Sequence, residues 1–182
     1  CRHCYMNSDA KKYQDELTTE EARRFIDDLA DFRVPVLLFS GGEPLLRPDF
    51  FELAEHAAAK GVRPTLSTNG TLIDRATAQR IKDIGVGYVG ISLDGLKDVN
   101  DKFRGKEGAY EAAMRGIENC TAVGQRVGLR FTINHHNIME LDKIFDFIEE
   151  EGINRVCFYH LVYSGRGNAM MEEDVTAEES RS

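Results

Sequence analysis

The sequence predicts an α/β fold built on a parallel sheet. Three observations predict it. Segments with helical apolar spacing alternate with short apolar runs, glycine follows four of the five helical segments, and every apolar run ends in a polar or glycine-rich cluster. Strand alternating with helix means parallel pairing through right-handed crossovers. An open doubly wound sheet and a barrel both satisfy this pattern.

The first helical segment carries Ala22, Phe25, Ile26 and Leu29, with Thr18 and Glu21 spaced as a capping box. Pro48 suits the first turn of a second, which presents Phe50, Leu53, Ala54 and Ala57 and stops at Gly61. A third runs from Asp74 to Ile84 and stops at Gly85. A fourth carries Tyr110, Ala113, Met114 and Ile117 and stops at Gly124. A fifth carries Leu141, Ile144, Phe145 and Ile148 and stops at Gly152. Five strands are expected between them, at Val36–Phe39, Val62–Leu66, Tyr88–Ile91, Leu129–Ile133 and Val156–Tyr159. Their nearly continuous apolar character predicts burial on both faces.

Composition narrows the function. The 182 residues carry 23 basic and 31 acidic side chains, a net charge of −8, which argues against a general nucleic-acid binder. With 42% hydrophobic residues the chain is globular, and no apolar run is long enough to span a bilayer. Four irregularly spaced cysteines do not form a disulfide scaffold and point to a reducing, cytoplasmic setting. The chain opens on a cysteine and closes on "EEDVTAEESRS", which has the character of a helix opening. The expectation is a piece of a longer protein.

The strand ends hold the chemistry. They carry Ser40-Gly41-Gly42-Glu43-Pro44, Ser67-Thr68-Asn69-Gly70, Ser92-Leu93-Asp94-Gly95, Asn134-His135-His136-Asn137, and His160 to Gly167. Parallel α/β folds bring such ends to one face, where ligands bind. Any one cluster is also what an ordinary turn contains. Gly41 and Gly42 let the backbone approach a ligand, Pro44 stiffens the exit, and Glu43 suits either an ammonium group or a role in fixing the turn, its acidity arguing against phosphate. Cys1 and Cys4, with His3 between them, fit half a zinc site, a redox pair or part of an iron–sulfur ligand set. Cys120 and Cys157 have the setting of small buried hydrophobes.

Taken together, "CRHCY", "SGGEPLL", "STNG" and "SLDG" resemble the radical S-adenosylmethionine superfamily over nearly the whole chain. Cys1 and Cys4 match the second and third cysteines of its Cys-x-x-x-Cys-x-x-Cys motif, and the first would lie four positions before Cys1. The resemblance implies a partial (β/α)6 barrel, similar to a TIM barrel, with one strand ahead of Cys1. It implies a core over residues 1–170 and the start of a C-terminal extension over 171–182. It implies a [4Fe–4S] cluster held by Cys1 and Cys4 and a bound S-adenosylmethionine. Gly41, Gly42, Glu43 and Pro44 would hold the methionyl amino group. Ser67, Asn69, Ser92 and Asp94 would meet the methionyl and ribose groups, Arg104 the carboxylate, and Leu161, placed on the last strand, the adenine.

Within the superfamily, "LLFSGGEPLLRPD", "YVGISLDG", "FRG" and "RVCFYHLVYSGRG" are similar to the branch that modifies tetrapyrroles on the routes to haem and haem d1, nearest to the didecarboxysiroheme deacetylases. Substrate carboxylates would then be met by Arg166 and Arg104. His160, Tyr159 and Tyr163 would donate hydrogen bonds, move protons or stack on the macrocycle, and His135 and His136 stand where an iron ligand would be sought. The catalytic candidates are His160, Tyr159 and Arg166. The implied partners are a tetrapyrrole and an electron donor such as flavodoxin or ferredoxin, with no nucleic acid and no membrane. The alternatives are a peptide maturase of the same superfamily, a non-catalytic tetrapyrrole carrier and a zinc barrel hydrolase.

Overall fold

The computed structural model describes residues 1–6 and 15–181. Its centre is one sheet of five parallel strands in sequence order: β1 (Val36–Phe39), β2 (Arg63–Thr68), β3 (Val89–Ser92), β4 (Val127–Thr132) and β5 (Val156–Tyr159). The sheet curls into a half-barrel with helices on its convex side, the partial barrel expected from the sequence. They are α1 (Thr19–Asp31), α2 (Phe50–Ala59), α3 (Arg75–Ile84), α4 (Lys97–Arg104), α5 (Ala109–Ala122) and α6 (Leu141–Glu150).

Local signals build these elements. Thr18 and Glu21 cap each other's backbone at the start of α1. The Asp74 carboxylate accepts the Thr77 N–H at 2.7 Å to start α3. Gly61, Gly85, Gly124 and Gly152 each have positive φ just after a helix, as their stop role requires. Outward strand residues Leu66, Val89, Ile91 and Leu129 are fully buried against Ala54, Ile81 and Ile117. Each contributes about 1.5–3 kcal/mol by leaving water. A second cluster joins Ala22 and Ile26 of α1 to Leu53 and Ala57 of α2.

The structure corrects several details. Burial on both faces holds for β3 alone: β1 and β2 alternate, because their concave-side residues Val36, Leu38, Arg63, Thr65 and Ser67 face an open lumen. β2 begins one residue later than expected and runs on through Ser67 and Thr68, which still pair with Gly90 and Ile91. β3 spans Val89–Ser92 rather than Tyr88–Ile91, and β4 spans Val127–Thr132 rather than Leu129–Ile133. α2 begins at Phe50, so Pro48 precedes the helix instead of occupying its first turn. α4 is an element that the apolar pattern does not announce. A 3₁₀ segment spans Gly165–Glu173, and Ser182 lies outside the described residues.

Gly116 sets how closely α5 approaches the end of β2. A Cβ there would fall inside van der Waals contact of the Gly70 carbonyl oxygen. Gly116→Ala gains roughly 1 kcal/mol of helix propensity. It loses more by pushing against backbone, about 1–3 kcal/mol or above. Urea denaturation should therefore give a net destabilisation. An unchanged or raised midpoint would mean that α5 rides over the turn freely.

Candidate functional site

The polar clusters do converge at the carboxyl ends of the strands. After β1, Gly41 takes φ +130, and a Cβ there would have nothing within 4 Å, so backbone conformation rather than space requires glycine. Glu43 follows, capping the short 3₁₀ turn Pro44–Leu46. Its Oε1 accepts from Thr68 Oγ1 at 2.7 Å and from the Leu45 N–H at 3.3 Å, and its Oε2 accepts the Asn69 N–H at 2.8 Å. The carboxylate thus ties the diglycine turn to the end of β2. A carboxylate offers about four acceptor positions, so one stays open for a ligand donor. Burial pushes Glu43 above the usual carboxylate range, against those hydrogen bonds and the Arg104 charge.

Asp94, after β3, is the most buried charge of the site. It is 0% exposed; its Oδ1 accepts the Thr132 N–H at 2.7 Å, and its backbone N–H donates to Asn100 on α4. Asn137 donates to its carbonyl, so one residue joins β3, α4 and the end of β4. Its Oδ2 is paired with Arg104 at the end of α4. Arg104 also donates to Cys1 Sγ at 3.3 Å, and its charge reaches Glu43. One guanidinium therefore links the thiols, the buried aspartate and the diglycine turn.

The cysteine loop is seated by backbone. Arg2 N–H donates to the Phe103 carbonyl at 3.4 Å, and Gly167 N–H donates to the Cys4 carbonyl at 3.1 Å. A Cβ on Gly165, which has φ +54, would stand 2.6 Å from the Tyr5 carbonyl oxygen. The glycines of "YSGRG" are thus contact surfaces for the loop. His3 stacks on Phe103 with ring centroids 4.5 Å apart and lies 3.6 Å from Asp94. Burial pushes His3 down to about 4; Asp94 opposes this, and Arg104 and Arg166 add to it. The ring is neutral near pH 7.

The other expected residues are placed as follows. Ser67 and Ser92 lie half-buried on the concave side of β2 and β3. Asn69 closes a turn by accepting the Thr71 N–H, and Pro44 is buried. Leu161 is not on β5 but two residues past it, buried with Phe103 and Met170 under the cysteine loop. His160 is exposed just beyond β5, and Tyr159 lies under the Arg130 guanidinium, 4.6 Å from its ring centre. Arg166 is exposed but close enough for its charge to act on His3. Tyr163 donates to Asp174, and the paired histidines face carboxylates: His135 meets Glu179 at 3.0 Å and His136 meets Glu173 at 2.5 Å. Those contacts dock the C-terminal segment.

His3 and Arg130 were not singled out by the sequence. His3 sits inside the Cys-x-x-Cys motif itself. Arg130 is a charged residue inside an apolar strand, paired with Ser92 and with its stem over Gly90 of β3, and the charge in an apolar run was its signal.

Among the described residues no three His, Cys, Asp or Glu side chains are grouped to hold one metal ion. Cys1 and Cys4 are soft donors suited to iron–sulfur chemistry. Arg104 Nε and His3 Nδ1 are buried there without a hydrogen-bond partner. The unsatisfied Arg104 Nε–H is a donor that fits a carboxylate, and the neutral His3 ring offers Nδ1 as donor or acceptor according to its tautomer, a combination that suits an amphoteric ligand such as an amino acid moiety.

The chain is similar to known proteins over most of its length. The model of the radical SAM superfamily matches residues 1–148. The chain is 56% identical to an Fe-coproporphyrin III synthase of Methanosarcina barkeri over all of its length and 45% of the relative's. It is 46% identical to a pre-heme d1 synthase of Dinoroseobacter shibae, over 96% of this chain and 43% of the relative. It thus spans under half the length of these relatives. The fold resembles the solved structure of native anSMEcpe with bound AdoMet, with a TM-score of 0.75 at 21% identity, over 89% of this chain and 48% of the other. No helix among the described residues is long and apolar enough to cross a membrane. The chain belongs to the radical SAM superfamily.

Proposed function

We propose that this chain is the core of an enzyme that cleaves S-adenosylmethionine and modifies the side chains of a sirohaem-derived tetrapyrrole on a route to haem or haem d1. The observation that carries this reading is the reach of Arg104, which ties Cys1 and Asp94 to the opening where the Gly41-Gly42-Glu43 turn lies. Similarity to two tetrapyrrole synthases supports the substrate class. When bound, a [4Fe–4S] cluster supplies the electron that cleaves the sulfonium bond and yields a deoxyadenosyl radical.

The chain's own residues would do the following. Cys1 and Cys4 provide two thiolates, and the third comes from outside these 182 residues. The open acceptor position of Glu43 and the bare backbone at Gly41 and Gly42 receive the methionyl ammonium. Arg104 Nε, lacking a partner, receives its carboxylate. Ser67, Asn69, Ser92 and the scaffold around Asp94 line the ribose side. The half-barrel shields the reacting centre from water. Tyr159, His160 and Arg166 stand at the rim for proton transfer and substrate orientation. The electron comes from a flavodoxin- or ferredoxin-type donor in the cytoplasm.

The test uses the full-length protein. After anaerobic reconstitution it should hold about four irons in this site. Dithionite and S-adenosylmethionine should then give deoxyadenosine, and an added didecarboxysiroheme should lose side-chain mass. Tetrapyrrole binding without cofactor cleavage would replace this reading with a carrier. Cleavage that crosslinks a peptide and leaves tetrapyrroles unchanged would replace it with a peptide maturase.

A further inference from the structure

The lumen of the half-barrel holds a second chemically distinct feature, set below the mouth described above. A cavity of about 860 Å³ runs along the concave face toward the amino ends of the strands, lined by Arg63, Tyr88, Arg126, Arg130, Glu151 and Arg155 among others. Four guanidiniums thus meet in one cavity of a chain whose net charge is −8. Among the described residues none of the four is paired with a carboxylate. Against these four guanidiniums the lining sets one carboxylate, Glu151, so positive charge is in excess there and a bound anion lowers the energy of the chamber.

The backbone is shaped to permit this. Arg130 points into the lumen from the middle of β4, and its stem lies where a Cβ on Gly90 would be, 2.9 Å from Cδ. Arg63 lies across Gly87 in the same way, at 2.7 Å. Gly128 leaves room for the Tyr88 hydroxyl. The Arg155 guanidinium stacks 5.2 Å from the centre of the Tyr88 ring, and Arg130 stacks on Tyr159. Stacking uses the guanidinium faces and leaves N–H edges to point at planar anions, although Arg130 also donates one to the Tyr159 hydroxyl. The Tyr88 hydroxyl is buried with no hydrogen-bond partner, and burial pushes its pKa to about 12, so it is a proton donor throughout the neutral range.

We propose that this chamber is a polycarboxylate anchor: Arg130, Arg63 and Arg155, with the Tyr88 hydroxyl, seat the carboxylate arms of the tetrapyrrole that are not being modified. The proposal rests on the substrate class given above. A six-residue strand such as β2 spans about 20 Å, so a macrocycle laid along the concave face reaches the cofactor mouth with one arm and the arginines with others. Tyr159, next to both, then works as the platform between the two ends. The arginine set fixes which arm is presented, making these positioning and specificity residues.

The experiment is a binding titration on the full-length protein without electron donor, followed by tetrapyrrole absorbance. The probes are coproporphyrin III, its tetramethyl ester and inorganic phosphate. The free acid should bind at least tenfold more tightly than the ester, and phosphate should compete weakly. Arg130→Gln, Arg63→Gln and Arg155→Gln should each weaken the free acid roughly tenfold, hardly affect the ester, and leave S-adenosylmethionine affinity unchanged. Arg63 and Arg155 are exposed, so their variants carry the test even where Arg130→Gln fails to fold. Equal loss for acid and ester, or loss of S-adenosylmethionine affinity in place of tetrapyrrole affinity, overturns the proposal and spares the tetrapyrrole reading. Where the wild type binds no tetrapyrrole, that reading fails, and calorimetry with benzenehexacarboxylate decides the chamber separately. Binding weakened by Arg63→Gln upholds a polycarboxylate site, and no binding removes it.

Discussion

Cys4→Ala in the full-length protein should abolish iron–sulfur loading and, with it, all deoxyadenosine formation, while leaving the fold nearly untouched. The two effects separate because the cysteine loop is held by its main chain. The Cys4 carbonyl accepts from Gly167, Arg2 donates to Phe103, and the glycine contacts at 165 and 167 are made by backbone atoms. None of these needs the Cys4 thiol. Removing a half-exposed sulfur costs about 1 kcal/mol or less in packing, while a site that depends on each thiolate loses its metal. Cys120→Ala is the matched control. Cys120 is fully buried on α5, and burial pushes its thiol up to about 11, so it is a core group with little thiolate character. That variant should lose stability and keep iron. Iron content by metal analysis and deoxyadenosine by chromatography give the comparison. Iron retained by Cys4→Ala at the wild-type level would remove Cys4 from the ligand set.

How far the sequence carried this site depended on which interactions were local. The order of strands and helices and the gathering of the polar clusters were legible, since both follow from periodicity and parallel pairing. Helix α4 was not. Its residues "KDVNDKFR" bury only Asn100 and Phe103, so no apolar stripe marks it. It is held by tertiary partners instead: Asn100 on the backbone of Asp94, Phe103 against His3, and Asp101 accepting the N–H groups of Gly108 and Tyr110. β2 was clipped for a related reason, because Ser67 and Thr68 read as loop residues until a neighbouring strand supplies their ladder. The pairing of Asp94 with Arg104 joins two charges ten residues apart across a helix. Neither residue type discloses a buried partner by itself, and Glu43 was expected to receive an ammonium group or fix its own turn, without the reach to Thr68 and Asn69 at the end of β2. The Cys-Gly contacts show the same thing at a smaller scale: Gly165 and Gly167 read as part of a strand-end cluster that any turn could contain, whereas the space they leave is filled by the loop that carries Cys4.

Arg104→Met should be the most destabilising single substitution at the mouth, by about 3–5 kcal/mol, because it leaves the Asp94 carboxylate buried without its counter-charge. His3 cannot take over. It lies 3.6 Å from Asp94, but burial is the largest influence on it and holds it near 4, so at neutral pH it brings no positive charge. Arg104→Lys should recover little, since one ammonium cannot reach Asp94 and Cys1 as the two guanidinium nitrogens do. The decisive comparison is the double variant Arg104→Met with Asp94→Asn. Asparagine keeps an oxygen for the Thr132 N–H and removes the stranded charge, so much of the loss should return. Recovery of stability should not restore cofactor binding, because the bridge to Cys1 and Glu43 is still gone. Urea unfolding followed by circular dichroism measures the first effect, and equilibrium dialysis of S-adenosylmethionine measures the second. A single variant within about 1 kcal/mol of wild type, or a double variant no better than the single, would mean that the pair is a surface contact in its energetics despite its burial. The guanidinium would then be retained for the ligand alone.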